Sequence, residues 1–372
     1  MTRIVMLVDL DYFFAQLEEI RDPSIKDKPV VVCVYSGRTP DSGAVSTANY
    51  KAREYSVKSG IPIYQAKRKL ENVDAIFLPV DEVYYVGASE KIMDLLRKYA
   101  NSFEQVGIDE AFLDVAQKTD CDFQKARSYA QKIKNDLKAR QGLTCSIGVG
   151  PNKLVAKIAA DSQKPDGLTV VTPELVSDFL APLPVSRLIG VGIKTTEKMK
   201  TLGINTVGDL AKYDVQKLVS TFGKKVGTYF HYAALGIDNE PVEEKDEVES
   251  ISRIATLKEN TNNINIITEK TDQLCAEIQA DILQQSKKYK TITIIAIMTD
   301  LTTRSKSKTL DNPTGDLELM KTTVKELFRQ YLRESAVEVR RVGVKISNFS
   351  KEQKTQKQIT SFFDKQTKED DT

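Results

Sequence analysis

Residues 4–14 read IVMLVDLDYFF. Ile4 to Val8 have the apolar density of a buried strand, yet Asp9 and Asp11 stand where that strand ends, followed by three aromatics in a row, Tyr12, Phe13 and Phe14. A carboxylate so placed is costly unless its charge is used. A helix at about 82–100 leads to a strand over 103–108 (FEQVGI), the pair Asp109 and Glu110, and a strand over 111–115 (AFLDV). A helix around 122–140 then runs into TCSIGVG at 144–150. With the excursion between about 12 and 78 set aside, the order is strand, helix, strand, strand, helix, strand. This is the split βαβ arrangement. Neighbours then run antiparallel and the first strand lies beside the third, so the turn bearing Asp109 and Glu110 sits where the first strand delivers Asp9. Three carboxylates distant in sequence are expected at one sheet edge.

Such a cluster repels itself and raises its own pKa values unless a cation joins it. Oxygen-only donors favour Mg²⁺ or Mn²⁺, and two such ions form the clamp used for in-line phosphoryl displacement. On their own, Asp109 and Glu110 read equally as polar turn residues.

The composition limits the alternatives. With 372 residues and 41% hydrophobic content the chain can fill two or more cores. No apolar run reaches the roughly 18–20 residues of a membrane span and no signal-peptide pattern opens the chain, so a soluble, cytoplasmic protein is expected. The four cysteines form no CxxC pair, and the single histidine, His231, leaves no material for a histidine metal site or a Ser-His-Asp triad. Catalysis would run on carboxylates. A net charge of +2 makes no case for nucleic acid by itself; the distribution of charge must make it.

Four motifs converge. VDLDYFFAQLE (8–18), SGAVSTANYKAREYSVKSGI (42–61), VGIDEAFLDV (106–115) and CSIGVGPNKLVAKIAADSQKPDG (145–167) resemble, in order and spacing, the Y-family translesion DNA polymerases, most closely the archaeal DinB-like members. The similarity runs from about residue 1 to 350. It implies an α+β, multidomain right hand: palm over 1–11 and 79–171 with a split βαβ sheet, fingers over 12–78, and a helical helix-hairpin-helix thumb over 172–236. A linker over 237–249, a βαββαβ little finger over 250–349 and a flexible tail over 350–372 complete it. Asp9, Asp109 and Glu110 would bind two Mg²⁺, with the carbonyl of Leu10 as a further ligand. Phe14 would clash with a ribose 2′-OH, and Tyr12, Thr47, Tyr50, Arg53 and Lys164 would hold the triphosphate. Val34 and Ala44 would lie over the templating pair, small enough to leave the site open.

The residues make physical sense of these roles. An arginine fork and a lysine point charge neutralise a polyphosphate. Tyr50 and Arg53, three apart, share a face if TANYKAREYSV is helical. Spacing does not decide whether Tyr12 and Phe14 share a face, since an extended and a helical start differ there; Phe13 reads as core. Asp11 reads as structural, a cap of the following helix. Gly150 and Pro151 open a helix whose free N–H groups, with Lys153 and Lys157, could meet a phosphate.

LIGVGIKTTEKMKTLGI (188–204) carries, at Gly190 and Gly192, the turn of a helix-hairpin-helix, whose amides point at a DNA phosphate without reading sequence. STFGKKVGTYFHYAALGI is a weaker second copy. DNEPVEEKDEVE (238–249) is acidic and aperiodic, a linker that departs from the basic connector of archaeal relatives. Beyond it, strands at 250–257, 291–298, 303–310 and 339–347 alternate with helices at 264–286 and 316–332. Arg304, Lys306 and Lys308 alternate, which sets them on one face; with Arg340 and Arg341 they are expected to form a basic sheet face for duplex DNA. In the tail, QKQITSFF has the form of a sliding-clamp binding box, with Gln356, Ile359, Phe362 and Phe363 as its anchors.

The expectation is therefore a monomeric, low-fidelity DNA polymerase that adds dNTPs to primer-template DNA at a two-Mg²⁺ site, with Mn²⁺ able to substitute. Its further partner would be a PCNA-type sliding clamp. A palm-type nucleotidyl cyclase would need a GG[DE]EF signature that is absent, and an inert DNA-bound clamp adaptor would not need Asp9, Asp109 and Glu110.

Overall fold

The computed structural model describes residues 3–244 and 248–351. Two compact units form, one from Met1–Val34 and Gly43–Lys245, the other from Tyr35–Ser42 and Asp246–Thr372. The clamp-box residues Gln356, Ile359, Phe362 and Phe363 lie outside the described residues.

The first unit starts with β1 (Val5–Leu10) and α1 (Phe13–Arg21), then β2 (Val30–Tyr35), whose last residue belongs to the second unit, β3 (Gly43–Ala48), α2 (Tyr50–Glu54), α3 (Ile63–Lys69) and β4 (Ile76–Pro79). It continues through α4 (Glu82–Arg97), β5 (Ser102–Gln105), β6 (Glu110–Asp114), α5 (Phe123–Gln141), β7 (Cys145–Gly150), α6 (Lys153–Ser162) and β8 (Leu168–Val170). Five short helices close it: α7 (Val176–Leu180), α8 (Ile193–Thr201), α9 (Val207–Lys212), α10 (Val215–Phe222) and α11 (Lys224–Ala234). The main sheet has the order β5-β6-β1-β7-β8, so the first strand does lie beside the third of the split βαβ unit. Its pairs are antiparallel except β7 with β8, a three-residue strand that has no counterpart in the sequence reading.

Alternation along β1 sorts its residues between two faces. Ile4, Met6, Val8 and Leu10 join Ala111, Leu113, Ile147 and Val149 in a core completed by α4 and α5. Val5, Leu7 and Phe112 face the other way, against Ala156 and Ala160 of α6. By the same alternation Asp9 and Glu110 fall on the α6 face. There the packing is very close: a Cβ at Gly148 would lie 2.0 Å from the Ala156 carbonyl oxygen and 2.2 Å from the Ala160 nitrogen, so only glycine fits.

The excursion between β1 and α4 folds around its own three-stranded sheet, β3-β2-β4, with α2 and α3. TANYKAREYSV is not all helix as expected: Thr47 and Ala48 end β3, and the helix covers only Tyr50–Glu54, capped by the Asn49 side chain. A further departure concerns the linker. Val242 is buried among Val5, Leu7, Phe112, Ala156 and Ala160, and burial of a valine is worth about 1.5–3 kcal/mol. Arg3 donates to the carbonyls of Asp238 and Glu240, and Arg97 pairs with Glu244 at 2.6 Å. Residues 238–244 are a strap docked on the first unit, because one apolar side chain, the Arg3 hydrogen bonds and the pairs Arg97–Glu244 and Lys153–Glu240 outweigh the freedom of an acidic run.

The second unit has β9 (Ser250–Thr261), α12 (Ile264–Gln285), β10 (Lys287–Met298), β11 (Thr303–Thr314), α13 (Leu317–Glu334) and β12 (Val339–Lys351). Its sheet order is β11-β10-β12-β9, antiparallel throughout. Ile292, Ile294, Ala296, Val342, Val344 and Ile346 bury one face against α12 and α13. The opposite face is open.

Candidate active site

Register builds the site. Asp9 pairs directly with Glu110 across β1 and β6, and the Leu10 N–H donates to the Asp109 carbonyl at 2.9 Å. The three carboxylates predicted from topology thus arrive at one edge. Burial, with repulsion from Asp109 and Glu110, pushes the Asp9 carboxyl up to about 6 despite the Lys164 ammonium beside it. Burial and then Glu110 likewise raise Asp109.

The counter-charges are lysines. Lys164 lies 2.6 Å from Asp9 and 2.8 Å from Asp161, and Lys157 of α6 donates to both Glu110 oxygens at 2.6 and 2.8 Å. Lys153, expected with Lys157 near phosphate, pairs instead with Glu104 at 3.0 Å. Among the described residues no three His, Cys, Asp or Glu side chains are grouped to hold a metal, and Asp9 and Glu110 each lie on an ammonium. The donor chemistry suits a hard divalent cation all the same: oxygen only, half-buried, and mutually repelling.

Tyr12 takes a left-handed conformation, φ 36°, at the start of α1, and its ring meets Tyr50 edge-on with centroids 5.4 Å apart. Arg53 lies over the other ring of this pair, 4.6 Å from the Tyr50 centroid, which confirms that positions 50 and 53 share a face. Tyr12 also donates to Glu19 at 3.2 Å, and burial raises its phenol further out of reach of ionisation. Phe14 points elsewhere, stacked on Tyr85 with centroids 4.3 Å apart. Tyr12 and Phe14 therefore diverge, as a helical start requires. Thr47 is half-buried on β3; Val34 is 54% exposed at the end of β2, and Ala44 is half-buried at the start of β3.

Asp11 does not cap α1. It is 1% exposed and accepts from the Ser146 hydroxyl and the Asp166 N–H, both at 2.8 Å. Sequence reading also passed over Asn49, whose amide donates to Glu19 and the Lys28 carbonyl while its oxygen accepts from Val30 and Ala52. Its place just ahead of a short helix was the available signal.

Gly190, φ +83°, and Gly192, the N-cap of α8, form a glycine turn, and nothing lies within 4 Å of a Cβ at Gly192. A similar glycine, Gly223 at φ +84°, joins α10 and α11.

In the second unit, Arg304, Lys306 and Lys308 do share a face, but it is the helix-covered one. They stand opposite Ala296, Ile294 and Ile292, and at this sheet edge Lys306 and Lys308 pair with Glu334 and Glu326 of α13 at 2.8 and 3.4 Å. The expected exposed basic row is not formed by them. The open face instead carries Arg341 and Lys345 among Ser250, Ser252, Thr256, Ser347, Thr291, Thr293, Thr303, Ser305, Ser307 and Thr309. Only Ile254, Ile295, Ile297 and Gly343 interrupt it, and no carboxylate occupies these register positions. Arg340 lies at a β-bulge beside this face.

Comparison with known proteins fits this geometry. The impB/mucB/samB family model matches residues 8–161, that family's C-terminal domain 248–361, and a DNA polymerase-iota thumb domain 186–238. The chain is 47% identical over 363 residues to DNA polymerase IV of Nitrosopumilus maritimus, covering 97% of this chain and 100% of the relative. Against DNA polymerase IV of Saccharolobus solfataricus it is 39% identical, covering 93% and 96%. Among solved structures, a Y-family DNA polymerase chimera of Dbh and Dpo4 aligns with TM-score 0.88 at 38% identity, covering 94% of this chain and 99% of that one. An insertion ternary complex of Dbh DNA polymerase aligns with TM-score 0.67 at 38% identity, covering 94% and 99%.

Proposed function

The chain belongs to the impB/mucB/samB family of Y-family DNA polymerases, and on that premise we propose that the sheet edge bearing Asp9, Asp109 and Glu110 is where it extends a primer. It is a DNA-directed DNA polymerase of the translesion type. The observation that carries the site is the register that sets Asp9 opposite Glu110 with Asp109 hydrogen-bonded to the next residue of β1.

Asp9, the Leu10 carbonyl, Asp109 and Glu110 would hold divalent cations, two Mg²⁺ in our reading, with Mn²⁺ able to substitute. Bound there, they would supply Lewis-acid activation of the primer hydroxyl and charge neutralisation at the leaving pyrophosphate. The chain's own residues supply positioning and charge. Lys164 is a compact cation on a long stem that can turn from Asp9 to a phosphate. Arg53 offers a planar fork, and the Tyr12 and Tyr50 hydroxyls and Thr47 complete the cradle for the triphosphate. Phe14, rigidly stacked on Tyr85, presents a ring against the sugar and excludes a 2′-OH. Exposed Val34 and small Ala44 leave the templating pair loosely covered, which suits low fidelity and damaged template.

Primer-template DNA would be held without sequence reading by the amides at Gly190 and Gly192 and by Arg341 and Lys345 of the open sheet face, with Arg340 at its rim. The palm, fingers, thumb and little finger of the right hand are assigned to 1–11 with 79–171, 12–78, 172–236 and 250–349. The tail motif at Gln356, Ile359, Phe362 and Phe363 suits a ring-shaped clamp. Among the described residues no helix is long and apolar enough to cross a membrane, and we place the protein in the cytoplasm with its DNA, as a monomer.

Extension of a labelled primer on a defined template, with and without Mg²⁺, tests the assignment. Template-matched addition should require metal and vanish in Asp109→Ala. Binding of primer-template with no addition in Mg²⁺ or Mn²⁺ would leave a clamp adaptor as the better reading.

A further inference from the structure

Lys134 lies on the buried stripe of α5 with Ala126, Ala130, Ile133 and Leu137, its side chain 8% exposed. A cation so placed must be satisfied from within. Its ammonium donates to the Asp166 carboxylate and the Cys145 carbonyl, both at 2.6 Å, and to the Gly167 carbonyl at 3.1 Å. All three protons are committed.

The same corner is held from the other side. Buried Asp11 accepts the Asp166 N–H at 2.8 Å and the Ser146 hydroxyl at 2.8 Å, and the Ser146 oxygen accepts the Gly167 N–H at 3.2 Å. Asp166 adopts φ 54°, a left-handed conformation that aspartate tolerates better than most residues and that these bonds hold in place. Two residues earlier stands Lys164, at the catalytic edge. A lysine stem is flexible, so where its ammonium dwells depends on where its backbone is fixed.

We infer that Lys134 is a positioning residue: together with Asp11 it clamps the Asp166–Gly167 corner and so places Lys164 to meet the triphosphate of the incoming nucleotide. This rests on the proposed contact between Lys164 and the triphosphate. No atom of Lys134 need touch substrate, because its action passes through the loop.

The experiment is single-nucleotide insertion by the full chain with Lys134→Met, Asp166→Asn, Lys164→Ala and Lys134→Met/Lys164→Ala, combined with hydrogen exchange of the 163–168 segment without substrate. Lys164→Ala should raise KM for dNTP roughly tenfold, as loss of a charge-assisted hydrogen bond does. Lys134→Met should raise it about threefold or more, with kcat moved less, and the double variant should match Lys164→Ala within about twofold, as for residues acting in series. Exchange at 163–168 should quicken in Lys134→Met and stay at the wild-type rate in Lys164→Ala. Asp166→Asn keeps the main-chain bonds and tolerates positive φ, so it reports the same KM and exchange changes in smaller measure should Lys134→Met fold poorly. A KM raised by Lys164→Ala but untouched by Lys134→Met and Asp166→Asn, or effects that multiply in the double variant, would overturn the positioning role alone. No change in Lys164→Ala would overturn the triphosphate contact and the inference with it.

Discussion

Asp9 and Glu110 face each other across one strand pair, yet each is neutralised by a lysine of the α6 region: Glu110 by Lys157 within the helix, Asp9 by Lys164 just beyond it. Two carboxylates from separate strands thus depend on one helix and the loop that follows it for their charge balance.

Asp109→Asn should stabilise the metal-free protein while abolishing extension. Burial and the neighbouring Glu110 hold the Asp109 carboxyl above its ordinary range, so the fold disfavours the charge. Removing it should raise the melting midpoint of the metal-free protein at pH 7. A thermal melt showing a lower midpoint would contradict this.

Metal binding should weaken on acidification. The Asp9 carboxyl, raised to about 6 in the metal-free protein, takes up its proton as pH falls through that value, and the proton competes with the cation. Because Asp9 is raised in the fold, its own contribution to metal-free stability is full below its unfolded pKa and is lost as pH rises through about 6. Mn²⁺ titration calorimetry at pH 7.5 and 5 checks the first part; equal affinities would refute it.

Phe14→Ala should admit ribonucleotides, raising rNTP insertion relative to dNTP by roughly tenfold to a hundredfold, the range reached by steric exclusion of a small group. The ratio of kcat/KM values reads this directly. Unchanged discrimination would move the sugar contact to another residue.

The two sets of basic residues in the second unit should behave differently. Arg341→Ala and Lys345→Ala should weaken duplex binding and flatten its dependence on salt by about one unit of slope per lost phosphate contact. Lys306→Ala and Lys308→Ala should change little, since α13 glutamates already hold those ammoniums. Affinity measured across a salt series separates the two.

Val242→Ser should release the strap. A hydroxyl in that apolar pocket costs about 1–3 kcal/mol without a partner. Limited proteolysis should then cut within 238–244 sooner than in the wild type.

Much of this was legible because period-two alternation and strand order are strong signals: β1, the turn at Asp109 and the βαββαβ order of the second unit follow from them. Weaker signals misled. GAVSTA in β3 lacks large β-branched alternation, and β4 and β8 are three- or four-residue strands that exist through parallel pairing with β2 and β7. Spacing put Arg304, Lys306 and Lys308 on one face, but only pairing with Ile294 and its neighbours says which face. Lys134 was passed over although it stands in the apolar stripe of α5, because its partners at Cys145, Asp166 and Gly167 are distant in sequence.

The missing methyl at Gly148 acts as a ruler for the carboxylate edge. Sheet and helix touch there backbone to backbone, and that gap fixes how far the stems of Lys157 and Lys164 must extend to reach their carboxylates. Gly148→Ala would count as a conservative change in any catalogue of side chains, yet it would force α6 outward and stretch both arms together. The geometry of the proposed catalytic edge is set in part by a residue with nothing to offer it but thinness.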